Sequence, residues 1–153
     1  RLPRRERLCL WWAGGFFHWW GGFKPPRGWR WLEGQFARMA ALGDRDAQSF
    51  YGHILLFRGQ GLGARQEGLR LLRLAGEAGD GKAAYQLGVQ CLKGDVLGAA
   101  DGQQAVYWWQ LALRAEHPLA AARLASLYQD GAPGVEPDAA KSAAFAAQAD
   151  VQR

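Results

Sequence analysis

A phrase that recurs every 36 or 37 residues is the feature that most constrains how this chain can fold. Its third residue is Gly43, then Gly79, then Glu116, and each occurrence closes one helical stretch and opens the next. An alanine follows four positions later in every case, and a glycine or alanine follows nine positions later. A self-similar period of this length predicts a solenoid of stacked helical hairpins. Solenoids expose long surfaces to partners and seldom carry a catalytic centre.

Each repeat unit has two halves whose apolar residues recur at three- and four-residue spacing, which predicts two amphipathic helices. The first half closes with Gly59, Gly94 or Gly131, which we expect to form left-handed C-caps. A short linker follows each glycine. Asp101 and Asp138 then stand where an N-cap belongs, because a carboxylate there accepts bonds from free backbone N–H groups.

Small residues recur at one position of each predicted helix, where they would let two helix axes approach closely. On the first helix they are Gly52, Gly88 and Ala125, and on the second helix they are Gly68, Ala105 and Ser142. The chain has no Thr or Asn and a single isoleucine, Ile54. Because such a composition forms sheets poorly, we predict an all-α fold.

The third and fourth units resemble the Sel1-like repeat family, a relative of the tetratricopeptide repeat. The family phrase is approximately A-x-x-x-L-G-x-x-Y-x-x-G, followed by a second helix with an aromatic pair. The segments "AAYQLGVQCLKG" at 83–94 and "DGQQAVYWWQLALRAE" at 101–116 match it closely, as does the stretch at 120–150. In the unit before them, Tyr51 replaces the leucine and Ala64 stands where the loop aspartate belongs.

The resemblance implies a right-handed α/α superhelix that acts as an adaptor or scaffold, with no shared catalytic residues and no cofactor. We expect one domain over residues 1–153, since about three repeats suffice to bury a continuous core. The predicted hairpins span approximately 5–42, 45–79, 81–115 and 118–151. Trp108 and Trp109 occupy the aromatic pair of the family phrase and are expected in the core.

Charge is distributed unevenly along the chain. Residues 1–73 hold thirteen Lys and Arg against five acidic residues, and residues 74–153 hold six against nine. This asymmetry could steer an acidic partner toward the N-terminal end, although solvated helix faces would give the same count. Cys9 and Cys91 lie in different repeats, so the pairing of cysteines within one repeat that some secreted members of the resembled family have is missing, and a reducing compartment fits. We therefore expect a bacterial cytoplasmic protein, with the periplasm as the alternative if a leader was removed.

Six of the eight tryptophans precede residue 32, in a stretch that lacks a signal-peptide cleavage site. They could cap the open end of the first hairpin, or line a groove, since Trp and Tyr are common interface anchors. Positions within each repeat are counted from the third residue of the recurring phrase, which is Gly43, Gly79 or Glu116. The predicted groove continues along the first helix of each repeat at positions six, ten and thirteen. The candidate partner-binding residues are Trp12, Phe16, Trp19, Trp20, Arg27, Arg30, Ser49, His53, Arg58, Tyr85 and Val89.

Catalytic and metal-binding patterns are missing from the sequence. None of the three serines lies in a nucleophile motif, and the glycine-rich segment at 59–63 lacks the Lys-Ser/Thr ending of a phosphate-binding loop. His18, His53 and His117 stand apart from one another, without metal-ligand spacing. We therefore predict a protein that is not an enzyme and needs no metal, cofactor or small-molecule substrate.

We predict a scaffold or adaptor that binds another protein through the groove and the aromatic, basic N-terminal end. One alternative is an immunity-type inhibitor of a secreted phospholipase toxin, a role known in some relatives of this family. A second alternative is association with an anionic membrane or nucleic acid through the basic end, which would weaken steeply with salt. The sequence favours a protein partner over an anionic membrane or nucleic acid.

Overall fold

A computed structural model describes residues 28–95 and 98–153. Within these two ranges the backbone forms seven α-helices and no β-strand, which confirms the all-α prediction. The part of the first predicted hairpin, at approximately 5–42, that precedes residue 28 lies outside the described residues. The helices are α1 (Gly28–Ala41), α2 (Arg45–Arg58), α3 (Gly61–Glu77), α4 (Gly81–Lys93), α5 (Gly102–Arg114), α6 (Ala120–Asp130) and α7 (Ala139–Val151).

The helices pack as a stack of antiparallel hairpins. The main contacts join helices that follow one another in the chain, and the pairs α2–α3, α4–α5 and α6–α7 form the three described hairpins. Helix α2 also contacts α4, and α3 contacts α5, so equivalent helices lie side by side. This is the α/α solenoid that the repeat predicts.

Aspartates start four of the seven helices. Asp101 accepts hydrogen bonds from the backbone N–H groups of Gln103 and Gln104, and Asp138 accepts one from Lys141, so both predicted N-caps are confirmed. Asp44 and Asp80 cap α2 and α4 in the same way. Each such cap stabilises its helix by about 1 kcal/mol because it satisfies an otherwise unpaired donor.

The turn between α2 and α3 departs from the prediction. Gly59 has a φ of −64° and is extended, so the left-handed cap predicted there is wrong, whereas Gly94 and Gly131 do have positive φ. Helix α3 begins at Gly61, so only Gln60 separates it from Gly59 where the sequence predicts a linker. Ala64 cannot cap a helix start, and therefore the helix extends back to Gly61, whose φ of +84° makes the turn.

The core runs through the whole stack as three adjoining clusters of buried side chains. Phe36 and Leu71 belong to the cluster shared by α1, α2 and α3. Leu72, Leu87 and Trp108 belong to the cluster between the first two described hairpins. The cluster nearest the C-terminus contains Trp109, Leu124, Leu127 and Tyr128. Trp108 and Trp109 are 4% and 1% exposed, which confirms that the aromatic pair lies in the core.

The recurring small residues lie where the two helices of a hairpin approach each other. A Cβ atom placed on Gly52 would lie 3.0 Å from the Gly68 carbonyl oxygen, and the reverse substitution is equally tight. In the next hairpin, Gly88 faces the Trp109 ring directly. In the last hairpin the Ser142 hydroxyl donates to the Ala125 carbonyl at 2.9 Å. Close packing therefore explains the small residues, as predicted.

Candidate functional site

One side of the first helices is left exposed by the packing, and we call it the first-helix face. It comprises the side chains at positions three, seven, ten and fourteen of each repeat, none of which is buried. This spacing places them on one side of a helix. The first-helix face consists of Asp46, Phe50, His53, Phe57, Lys82, Gln86, Val89, Lys93, Leu119, Arg123, Ser126 and Asp130.

The first-helix face differs in register from the predicted groove. Ser49, a candidate at position six, is only 6% exposed, and Leu56, at position thirteen, belongs to the core. At the equivalent position of the next repeat, Tyr85 packs against the following repeat, where it stacks on His117. The residues at position ten, which are His53 and its equivalents, are half-buried or exposed.

An aromatic pair marks the α2 end of this face. The His53 ring lies 6.4 Å from the Phe57 ring, with 21° between the planes, and Phe57 is 63% exposed. His53 is held in place because its Nδ1–H donates to the Ser49 carbonyl at 2.6 Å. A carbonyl can only accept, so this bond fixes the proton on Nδ1. Phe57 is thus a large apolar side chain presented to solvent on an ordered support.

The other candidates occupy several different surroundings. Val89 is half-buried and packs against the last core cluster, and Arg58 is exposed at the end of α2. Arg30 is exposed on α1, which is a second helix and not part of the first-helix face. The candidates Trp12, Phe16, Trp19, Trp20 and Arg27 lie outside the described residues.

A polar cluster connects the second and third described repeats at the middle of the face. The half-buried Tyr85 ring stacks on His117 with 4.4 Å between centroids and 10° between planes. The Arg123 Nε–H donates to the Tyr85 hydroxyl at 2.9 Å. Behind the ring, the Trp109 indole N–H donates to the Tyr85 carbonyl at 3.1 Å, which fixes this part of α4 to the core.

The environment of His117 disfavours its charged form. Burial lowers the pKa of His117, and the nearby Lys82 ammonium lowers it further, against an opposing effect of the Asp80 carboxylate. Its Nδ1 accepts a hydrogen bond from the Leu119 backbone N–H at 3.3 Å. The neutral ring therefore carries its proton on Nε2, which is a hydrogen-bond donor.

Stability should consequently depend on pH through His117. Because its pKa is lower in the folded chain, the unfolded chain binds the proton first, near pH 6.5. The stabilising contribution is complete above that pH and is lost as the pH falls through the folded pKa. We expect the free energy of unfolding in urea to fall below about pH 6.5, and to fall less in His117→Gln. Identical pH profiles for the two proteins would contradict this assignment.

Enclosed sites for small molecules are not prominent in the described ranges. The larger of two described cavities has a volume of about 490 Å³, opens to solvent, and lies between the ends of α5 and α7. No group of three His, Cys, Asp or Glu residues within 28–95 and 98–153 is arranged to hold a metal ion. In the same ranges, every helix is too short or too polar to span a bilayer.

Several prominent residues of the face were missed by the sequence analysis. Phe57, Lys82 and Arg123 stand at positions fourteen, three and seven, whereas the predicted groove used positions six, ten and thirteen. Helical spacing could have found Phe57, since it follows His53 by four residues. The stacking of Tyr85 on His117 had no sequence signal, because it joins different repeats across a turn.

Comparison with known proteins agrees with the fold. The sequence model of the Sel1 repeat matches residues 45–80, 81–117 and 118–149. The Sel1 repeat protein from Oxalobacter formigenes is 24% identical, with a TM-score of 0.67 over 77% of this chain and 88% of that one. Protein c5321, a protective antigen of uropathogenic Escherichia coli with an SLR fold, is 20% identical, with a TM-score of 0.68 over 79% of this chain.

This chain spans only 26% of the c5321 chain. No curated protein sequence matches it. Sel1 repeat proteins are in general scaffolds for protein–protein interactions and are typically not enzymes. With three matched repeats that cover more than half of its length, and with the helical stack described above, the chain belongs to the Sel1 repeat family.

Proposed function

We propose that this chain is a non-enzymatic scaffold that binds another protein along the first-helix face. The observation that carries this proposal is Phe57, a largely exposed aromatic side chain supported by His53 at one end of a face that three repeats share. Exposed aromatic residues on ordered supports are typical anchors of protein interfaces. We also assign to the binding surface the aromatic and basic residues that precede α1, as the sequence predicts.

The chemistry of the face suits a protein partner better than a small molecule. Phe57 and Val89 offer apolar surface, while Lys82, Lys93 and Arg123 supply charges around it. Interfaces commonly combine an apolar centre with a polar rim in this way. A face built from three equivalent helices also matches the length of an extended or helical segment of another chain. We propose the bacterial cytoplasm as its compartment.

The role of Phe57 is tested by capture from a lysate followed by titration of the retained protein. At moderate salt we expect the wild-type chain to retain a specific protein. Phe57→Ala should weaken its affinity about 30-fold, which corresponds to an anchor contribution of about 2 kcal/mol. Isothermal titration with the purified partner measures this difference.

Tyr107→Ala is the matched control, because Tyr107 is an aromatic residue, 48% exposed, on the second helix α5. It should leave the affinity unchanged. Equal affinities for wild type and Phe57→Ala would contradict the assignment of the face. Recovery of nothing but nucleic acid or lipid, released as salt rises, would contradict the scaffold itself and favour a basic binding surface.

A further inference from the structure

We infer that Lys82 and Arg123 of the first-helix face form a carboxylate-binding site together with the adjoining residues Tyr85 and His117. The site would receive an Asp or Glu side chain of the partner protein, so it rests on the proposed function and specifies the partner's chemistry. Nothing in the repeat pattern assigns such a site, because Tyr85 and His117 have no counterparts at their positions in the other described repeats.

Two of these side chains, His117 and Arg123, contact Tyr85 directly. His117 stacks on the Tyr85 ring at 4.4 Å, and Arg123 binds its hydroxyl at 2.9 Å. Lys82 precedes Tyr85 by three residues on α4, which places both on the same side of the helix. Lys82 is also close enough to His117 to lower the pKa of that ring.

Among the described residues, the hydrogen-bonding groups of this cluster that have no partner are donors. The Tyr85 hydroxyl accepts from Arg123, so its own proton remains to be donated. Neutral His117 accepts at Nδ1 from Leu119 and therefore presents Nε2–H. The Arg123 Nε–H donates to the Tyr85 hydroxyl, which leaves the two terminal amino groups of the guanidinium as donors. These two groups can donate end-on to both oxygens of a planar carboxylate.

The positive charges of the cluster are not neutralised within the described part of the chain. Neither Lys82 nor Arg123 forms an ion pair with a described carboxylate. Asp80 caps α4 through the Ala83 N–H, and Glu116 lines the cavity between the ends of α5 and α7 together with the oppositely charged Arg114. With His117 neutral, Lys82, Arg123 and Asp80 leave one net positive charge. One carboxylate would balance that charge, whereas a doubly charged phosphate would exceed it.

The site can be tested without knowing the partner. The probe is the peptide acetyl-Glu-Glu-Glu-amide, titrated into the ¹⁵N-labelled chain and followed by NMR at constant ionic strength. We expect shifts of the Arg123 Nε–H and Trp109 indole N–H signals, and a raised pKa of His117 when the peptide is bound. Arg123→Gln should weaken binding about tenfold or more, as expected for the loss of charge-assisted hydrogen bonds.

Two controls separate a site from general charge attraction. Arg73→Gln removes the same charge from an exposed position on α3 and should leave the affinity unchanged. The peptide acetyl-Gln-Gln-Gln-amide should produce none of these shifts. Lys82→Gln is a second variant that removes a positive charge from the site. The circular-dichroism melt of each variant shows whether it folds.

Three results would contradict the proposed site. The first is equal affinity of wild type and Arg123→Gln for the glutamate peptide, and the second is equal NMR shifts from the glutamine and glutamate peptides. The third is tighter binding of inorganic phosphate than of the glutamate peptide. These failures would leave the scaffold proposal standing, because that proposal is tested on Phe57 with the native partner. Conversely, a chain that binds the glutamate peptide through Arg123 but captures no protein would retain the site and contradict the scaffold.

Discussion

Replacing Trp109 by alanine is expected to lower the free energy of unfolding by about 3–5 kcal/mol. The ring is 1% exposed and lies in the core cluster shared by α5 and α6. Its removal leaves a cavity that the surrounding helices can fill only in part, and it also leaves the Tyr85 carbonyl without its 3.1 Å indole partner. Urea unfolding followed by circular dichroism measures the loss.

Gln110→Ala provides the comparison on the same helix. Gln110 is exposed, so its truncation should change the free energy of unfolding by no more than about 0.5 kcal/mol. If Trp109→Ala cost as little as Gln110→Ala, the ring could not be a central contact between hairpins.

Gly88→Ala is expected to destabilise the chain by about 1–3 kcal/mol, although alanine is the better helix former. The added Cβ would lie 2.3 Å from Nε1 and 2.4 Å from Cδ1 of Trp109. Because the ring is buried in a close-packed core, the ring or the helices α4 and α5 must shift. The same urea unfolding experiment measures this cost.

Gly34→Ala on α1 is the matched substitution, because outside its own helix backbone no atom of the described residues lies within 4 Å of the added Cβ. We expect it to stabilise the chain by up to about 1 kcal/mol through helix propensity alone. In a Trp109→Leu background, the cost of Gly88→Ala should shrink, since the two residues share one contact. Additive effects of the two substitutions would rule out this contact as the cause.

Much of the fold could be predicted because several independent features of the repeat indicate the same arrangement of helices. The period, the small residues at the hairpin crossings and the caps Asp101 and Asp138 all point to the same stack. The prediction failed at the turn between α2 and α3, where the repeat departs from its own pattern. Without an aspartate at Ala64, no local signal fixes the start of α3, and Gly61 rather than Gly59 takes the turn conformation.

The candidate site was less predictable than the fold. Helical periodicity identifies which residues share a side, but a register error of one residue turns a side chain by about 100°. Ser49 was therefore placed on a groove although it is buried, and Phe57 was overlooked. Contacts such as Tyr85 with His117 depend on how one repeat sits on the next, which no single repeat encodes.

The order of helix contacts also affects how this chain reaches its native state. Because the main contacts join helices that are consecutive or alternate in sequence, forming them requires only short loops to close. Chains dominated by such local contacts fold fast compared with sheet proteins of similar size. Any one hairpin can serve as the nucleus from which the others assemble. Folding should thus proceed by growth along the stack, without waiting for the two ends of the chain to meet.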